Sequence, residues 1–258
     1  MKIIQTAERH SDQLASDNII NHRHLIAYQE ASRLIGGKTL EIGCGEGYGL
    51  KILAPNTQKY FAVDKYKTTI DKEIQEKYSI EFRQMVVPPL SGFEDNSMDF
   101  VVSFQVIEHI KNDDLFIKEI FRILKPGGSF IVSTPNIKTS LTRNPWHIRE
   151  YTIDQFNILI KKYFNKIQLK GVFGNEKVMK YYYQNKESVG KITRFDIFNL
   201  QYNLPRWCLR IPYDLLNRLN RNKLMKQNSD LVNDVKTEDF FISDADDSCF
   251  DFFCIAQK

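Results

Sequence analysis

The strongest chemical signal in the chain is Glu41-Ile42-Gly43-Cys44-Gly45-Glu46-Gly47, an acid followed by three glycines at alternate positions. The loop follows an apolar run, Lys38–Ile42, and opens a helix-like stretch near Tyr48–Leu53. Glycines at a strand-to-helix turn let a ligand come close to the backbone, because no Cβ blocks the approach. In dinucleotide loops of the form G-x-G-x-x-G, a helix N-terminus is aimed at a pyrophosphate. Here the third glycine comes one residue earlier, which favours a ligand without phosphates over NAD(P). Asp64 stands seventeen residues after Gly47, at the end of the apolar run Tyr60–Val63. A carboxylate at the tip of a second strand can accept hydrogen bonds from both hydroxyls of a ribose. An isolated Asp after a strand is also a common turn residue.

Two histidines are candidate proton acceptors. His109 follows Glu108, and His147 lies in NPWHIREY (Asn144–Tyr151). A group transferred to a hydroxyl calls for a base tuned near neutral pH, which suits imidazole. His109 equally fits a structural role at a helix start. His147 sits in a polar loop beside the large Trp146.

The elements that would position these residues alternate along the first two thirds of the chain. Strand-like runs are Lys38–Ile42, Tyr60–Val63, Ile80–Met85, Phe100–Phe104, Ser129–Ser133, Ile167–Val172 and Phe250–Ala256. Several are continuously apolar, as strands covered on both faces are. Helical patterns fall at Thr68–Lys77, Asp113–Leu124 and Ile153–Tyr163, with Lys125–Gly128 (KPGG) as the stop after the second. Alternating strands and helices predict an α/β chain with a parallel sheet.

Composition sets the outer bounds. The chain has 258 residues, 42% of them hydrophobic, enough for a substantial core. Its 36 basic and 32 acidic residues nearly balance, and this gives no argument for a nucleic-acid partner. Cys44, Cys208, Cys249 and Cys254 form no CxxC pair, so reduced thiols of a cytoplasmic protein are expected. The opening MKIIQTAERHSDQL lacks the apolar core of a secretion leader.

With these elements in place, the chain resembles the class I S-adenosylmethionine (SAM)-dependent methyltransferases, roughly from Arg23 to Val172 plus the final strand. LEIGCGEGYG (Leu40–Gly49) is similar to the family's first motif and AVDKY (Ala62–Tyr66) to its second. SMDFVVSFQVIEHI (Ser97–Ile110) is similar to its fourth-strand motif, and LKPGGSFIVSTPN (Leu124–Asn136) to the next helix and strand. The resemblance implies a Rossmann-like, doubly wound, mostly parallel seven-stranded sheet with an inserted helical region before the last strand. It further implies SAM as cofactor and S-adenosylhomocysteine as product. Gly43, Gly45 and Gly47, with Cys44 in the same loop, would lie under the methionine and ribose. Glu41 would help hold the amino acid moiety, and Asp64 the ribose, with Lys65 beside it. Phe104 and Gln105 would face the ligand, and Tyr28 would close over it. An acid expected near the adenine amine is missing from FRQMVVPPL (Phe82–Leu90), which leaves backbone groups around Met85 and Val86 for that task. Gln105, Glu108 and His109, with His147 further on, are similar to a metal-binding pattern of small-RNA 2′-O-methyltransferases. Gln105 stands where that family has Glu, and no metal is expected here.

More narrowly, Ser133–Thr152 and His24–Gly49 resemble methyltransferases associated with bacterial surface polysaccharides and other glycans, with Ala27 where many relatives carry Arg. The resemblance implies O-methylation of a sugar, glycan precursor or other small molecule. Two rivals share the motifs: a ubiquinone-biosynthesis-like O- or C-methyltransferase, and a SAM-fold binding module without catalysis. Intact Gly43, Gly45, Gly47 and Asp64 argue against the second.

The domain organisation expected is a core over residues 1–180, an inserted helical or lid region over 181–246, and the final strand over 247–258. In Pro205–Lys226 six basic residues accompany Trp207, Ile211, Leu215 and Leu219 at helical spacing. That pattern fits an anionic membrane surface at the cytoplasmic face or a lipid-linked glycan. It also fits a lid packed on the core or a contact between two copies. Pro212 is expected to interrupt the helix, and the acidic tract near Asp234–Asp247 is expected to be a solvated loop.

Overall fold

The computed structural model describes residues 15–258; Met1–Leu14, the stretch read above for a secretion leader, lies outside the described residues. The strands are β1 Lys38–Ile42, β2 Lys59–Asp64, β3 Ile80–Gln84, β4 Met98–Phe104, β5 Leu124–Pro135, β6 Lys166–Gly174, β7 Phe240–Asp244 and β8 Asp251–Gln257. The helices are α1 Asn18–Ser32, α2 Leu50–Leu53, α3 Lys72–Lys77, α4 Asp113–Ile123, α5 Ile153–Lys161, α6 Glu176–Thr193, α7 Leu200–Asn203, α8 Arg206–Gln227 and α9 Ser229–Asp234. All eight strands join one sheet in the order β3-β2-β1-β4-β5-β8-β6-β7. Strands β3, β2, β1, β4 and β5 run parallel, while β8 lies antiparallel between β5 and β6. This is the expected α/β, mostly parallel, Rossmann-like arrangement.

The chain steps outward from β1 to β2 and β3, then crosses back to β4 on the other side of β1. In open α/β sheets, that reversal leaves a crevice at the carboxyl ends of the two central strands. The glycine loop leaves β1 there, and Gln105 leaves β4.

By internal packing the chain divides into two compact units. The sheet unit holds Ala27–Thr139, Arg149–Val172 and Ile242–Lys258. Its strands are apolar because both faces are covered: four of the five residues of β1 and the first four of β8 are buried. Helix α4 supplies Phe116, Ile117, Ile120 and Ile123, all fully buried on one stripe, and begins where Asn112 accepts from the Leu115 N–H at 3.0 Å. Helix α5 begins with a capping box between Thr152 and Gln155.

The helical unit holds the described chain up to Ile26, with Ser140–Ile148 and Phe173–Phe241. Polar contacts tie it together. The buried Asp17 carboxylate takes Arg218 and Arg221 at 3.2 and 3.0 Å. Asn18 donates to the carbonyls of Val232 and Val235, at 2.7 and 3.0 Å. Ser188 donates to Asn220, which donates in turn to Asn185, both at 2.7 Å.

Four details correct the sequence reading. Among the described residues the sheet has eight strands rather than seven, because the acidic tract is only partly a loop: Thr237–Asp239 forms a 3₁₀ turn and Phe240–Asp244 forms β7, with 245–247 left as loop. Asp239 is partnered there by Asn175 and Lys177, and Phe241 stacks on Phe173 at 5.6 Å. The KPGG segment does not stop α4, which ends at Ile123. It belongs to β5, where the register jumps from Met98↔Leu124 to Phe100↔Ser129 and the extra residues bulge out of the ladder. Pro212 does not interrupt α8, which runs continuously from Arg206 to Gln227. Pro212 itself is exposed, and the helix gives up one backbone hydrogen bond there.

Asn136, just after β5, is fully buried and pins the chain entering β8. Its Nδ2 donates to the carbonyls of Asp247 and Cys249 at 3.1 and 2.9 Å, and its Oδ1 accepts from the Lys138 N–H. Asn136→Ala should cost about 3 kcal/mol, because two buried carbonyls lose their donor. The expected fall in Tm is about 10 °C by differential scanning calorimetry. A fall within about 2 °C would show that the pin contributes little.

Candidate functional site

The glycine loop is shaped by its backbone. Gly43 donates to the Val63 carbonyl at 2.7 Å and Gly47 to the Cys44 carbonyl at 2.9 Å, closing a tight turn off the end of β1. Gly43 has φ +82°, and a Cβ there would meet Val106 Cγ2 at 2.3 Å. Gly45 differs: its φ is +55°, yet a Cβ would meet nothing within 4 Å. Gly43 is demanded by packing against Val106, just after β4, whereas Gly45 borders open space.

Asp64 closes the loop from β2. Its Oδ2 accepts the Gly45 N–H at 2.9 Å and its Oδ1 the Tyr66 N–H at 2.8 Å. The two bonds fix the carboxylate at the lip of the crevice while each oxygen keeps acceptor capacity. Thr68 completes the link by donating to the Gly45 carbonyl at 2.6 Å. Cys44 is buried beside Thr68, its sulfur 3.8 Å from the hydroxyl, and burial pushes its thiol well above the usual range. It therefore sits under the loop as a neutral filler. Lys65 is exposed, and its carbonyl accepts from Gln84.

Beneath the loop, Glu41 is buried between two phenols. Tyr28 donates to its Oε1 at 2.9 Å and Tyr60 to its Oε2 at 2.8 Å. Burial raises the Glu41 carboxyl from its ordinary value to about 7, the phenol hydrogen bonds working in the opposite direction. Tyr28 also packs edge-on against Phe104 and Tyr48, with ring centroids 4.7 and 5.3 Å apart. Tyr28 and Glu41 thus reach the glycine loop from below, through side chains spent on each other.

On the far side of β1, Phe104 is buried at the end of β4, and Gln105 adopts a left-handed φ of +56°. The Gln105 N–H donates to the Ser133 carbonyl at 3.0 Å, and its side chain approaches Ser133 Oγ at 3.4 Å. A non-glycine residue held in that conformation stores about 1 kcal/mol or more, a condition that clusters at binding sites. Met85, half-buried, donates its N–H to the Asp64 carbonyl at 2.8 Å, while Val86 is exposed. His109 ends the 3₁₀ turn Ile107–His109, next to buried Glu108, which accepts from Thr134 Oγ1 at 3.0 Å.

Tyr28, Glu41, Gly43, Cys44, Gly45, Gly47, Asp64, Lys65, Met85, Val86, Phe104, Gln105 and His109 all belong to the sheet unit. His147 belongs to the helical unit. There Asn144 Oδ1 accepts the Trp146 N–H at 3.0 Å, so Nδ2 is the atom 2.9 Å from His147 Nε2. An amide donor at Nε2 supports the neutral imidazole with its proton on Nδ1.

Comparison with known proteins points the same way as the geometry. The model of the family described as "Methyltransferase domain" matches residues 40–132, the span from β1 into β5 that carries this site. A Mycolicibacterium smegmatis protein named "Probable S-adenosylmethionine-dependent methyltransferase" is 37% identical over 60% of this chain. Over residues 40–132 the chain carries this methyltransferase domain, and it is similar to class I SAM-dependent methyltransferases. A ubiquinone biosynthesis O-methyltransferase of Pseudomonas fluorescens is 28% identical over 45% of the chain. The matches span 63% and 49% of these two relatives' own lengths, less than two thirds of either. In fold, the chain is similar to the crystal structure of a Thermotoga maritima SAM-dependent methyltransferase, with TM-score 0.53, 15% identity, and 93% and 92% of the two chains covered.

The residues present fit an adenosyl ligand on their own geometry: an open-sided glycine, a fixed carboxylate beside it, and a strained turn opposite. Three supporting residues were not found by sequence reasoning. Tyr60 read only as part of an apolar strand, and Thr68 as the start of a helix that begins four residues later, at Lys72. Ser133 read as strand. Sequence spacing alone could not signal any of them, because their contacts run between separate strands and loops.

The Glu41 carboxyl gives a pH test. Its folded value, near 7, lies above the ordinary 4.5, so between those values the folded chain keeps a proton that the unfolded chain has lost. Stability from this group is present at low pH and declines as pH rises through that window. Glu41→Gln cannot titrate. Urea unfolding should therefore show the variant gaining on wild type between about pH 5 and about pH 7.5. A constant difference across that range would remove the buried-carboxyl assignment.

Proposed function

We propose that this protein is a SAM-dependent methyltransferase that methylates a hydroxyl of a sugar, glycan precursor or other small molecule. The observation that carries the reading is the Asp64 carboxylate, fixed by the Gly45 and Tyr66 amides at the open side of the glycine loop. Asp64 accepts the two ribose hydroxyls, Gly45 and Gly47 lie against the ligand's backbone-facing side, and Phe104 and Gln105 bound it from β4. Lys65, and the backbone at Met85 and Val86, border the adenosine end. Glu41 acts through Tyr28 and Tyr60 as buried support for the loop.

When bound, SAM supplies an activated methyl group on a sulfonium. Such a transfer depends mainly on holding donor and acceptor in line. A hydroxyl acceptor loses its proton as the new O–CH₃ bond forms, and S-adenosylhomocysteine leaves as the neutral thioether. His147 and His109 are the two candidate recipients of that proton; at His147 it would go to Nε2, which must exchange its Asn144 amide donor for the acceptor hydroxyl. The glycan assignment rests on the character of Ser133–Thr152. A ubiquinone-biosynthesis-like small-molecule methyltransferase is the alternative, favoured by the resemblance to the ubiquinone biosynthesis O-methyltransferase.

Asp64→Ala should weaken SAM binding about 100-fold, the loss of two hydrogen bonds to a charged group, as read by equilibrium dialysis. Unchanged affinity would remove the ribose assignment. Methyl-labelled SAM, offered with nucleotide sugars, glycans and ubiquinone precursors, identifies the acceptor class; label appearing only in the ubiquinone precursors would replace the glycan reading with that alternative. On the acceptor found, His147→Ala should lower kcat about 100-fold with SAM affinity nearly unchanged. Unaltered turnover in that variant would transfer the role to His109.

A further inference from the structure

Helix α8 inverts the usual arrangement of an amphipathic helix. Trp207, Ile211, Leu215 and Leu219 recur every four residues along it, and each is 56–80% exposed. A helix packed on a protein body ordinarily buries such a stripe and turns its charges to water. Here the charges do the packing. Arg206 donates to the Ile148 carbonyl, Arg218 and Arg221 reach the buried Asp17, and Arg210 lies over the Trp146 ring at 4.4 Å. Trp146 in turn donates its indole N–H to Asp214 at 3.0 Å. All of these partners belong to the same helical unit. The segment ahead of the helix extends the apolar surface, with Phe195, Ile197 and Phe198 each 74–84% exposed.

Single exposed apolar side chains are ordinary, whereas a contiguous patch of large ones marks a contact site. Charge narrows the partner. From Lys191 to Lys226 the chain carries eight basic residues against two acids, Asp196 and Asp214. Asp214 is engaged by Trp146, and Asp196 accepts the N–H groups of Leu200 and Gln201 at 2.6 and 3.1 Å. Arg194, Lys223 and Lys226 stay exposed around the patch. A second copy meeting this face across a two-fold axis would set those cations against themselves. An anionic bilayer matches both features, since aromatic and aliphatic side chains enter the acyl boundary while cations meet the headgroups. Among the described residues, no helix is long and apolar enough to cross a membrane, so α8 has the character of a helix that lies in the interface.

We propose that Phe195–Leu219 is a peripheral docking surface for an anionic lipid bilayer, held by its apolar stripe and flanked by cations. The surface stands independently of the methyl-transfer reading. The test is flotation of the full chain with vesicles of phosphatidylcholine alone and of phosphatidylcholine with phosphatidylglycerol. Wild type should float with the anionic vesicles and lose most of that binding at high salt. Ile211→Glu with Leu215→Glu should lower partitioning at least about tenfold, since both side chains already stand in solvent and their replacement leaves the Tm near wild type. If that variant melts early, Lys223→Glu with Lys226→Glu gives the same test through charge alone. Absence of flotation with anionic vesicles would overturn the proposal, as would full binding by a folded variant of either pair. A dimer in sedimentation velocity that the Ile211/Leu215 variant dissociates, without vesicle binding, would assign the face to a second copy instead.

Discussion

The Gly45 amide donates to the Asp64 carboxylate across 2.9 Å, joining the loops that leave two neighbouring parallel strands. Ile42 of β1 sits opposite Val63 of β2 in the ladder, so both loops emerge at the same end of the sheet and at nearly the same height. Because β4 flanks β1 on its other side, Phe104 and Gln105 arrive at that end as well. The fold needs the sheet order to create the crevice, and the crevice needs this bond to hold its acidic lip against its glycine floor. Thr68 reinforces the link by gripping the carbonyl of the same glycine.

Support for that floor comes from below. Glu41 is the last charged group before the glycines, and a buried carboxylate is costly unless its oxygens are satisfied. Tyr28 from α1 and Tyr60 from β2 satisfy one each, so helix α1 is tied to the cofactor loop through a single side chain. The rings pack as well as donate: Tyr28 meets Phe104 edge-on, connecting the base of β1 to the end of β4.

What could be read from the sequence follows from where each constraint acts. Gly43, Gly45 and Asp64 were legible because local backbone geometry and the end of a strand restrict the residue type at each position. The buried core strands were legible because a strand covered on both faces must be apolar throughout. Strand β7 was not, since it lies in an acidic stretch, and Asp239 just before it is held by Asn175 and Lys177, which are distant in sequence. Pro212 misled for a related reason: a helix lined with arginines anchored to Asp17 and Ile148 tolerates the loss of one backbone bond. The partners of Glu41 were hidden too, because Tyr28 and Tyr60 each carry an apolar ring that already explains their place in a helix or strand.

A fold of this kind hosts many activities, so function has to rest on the site rather than on the sheet. The central claim is that the crevice between β1 and β4 takes an adenosyl ligand through Asp64 and the glycine loop. Isothermal titration of the purified chain with S-adenosylhomocysteine and, separately, with NAD tests it most directly. The account predicts micromolar-range binding of S-adenosylhomocysteine and no measurable binding of NAD, whose pyrophosphate this glycine spacing does not serve. Binding of NAD with no heat from S-adenosylhomocysteine would contradict it and would make the glycine loop a dinucleotide site.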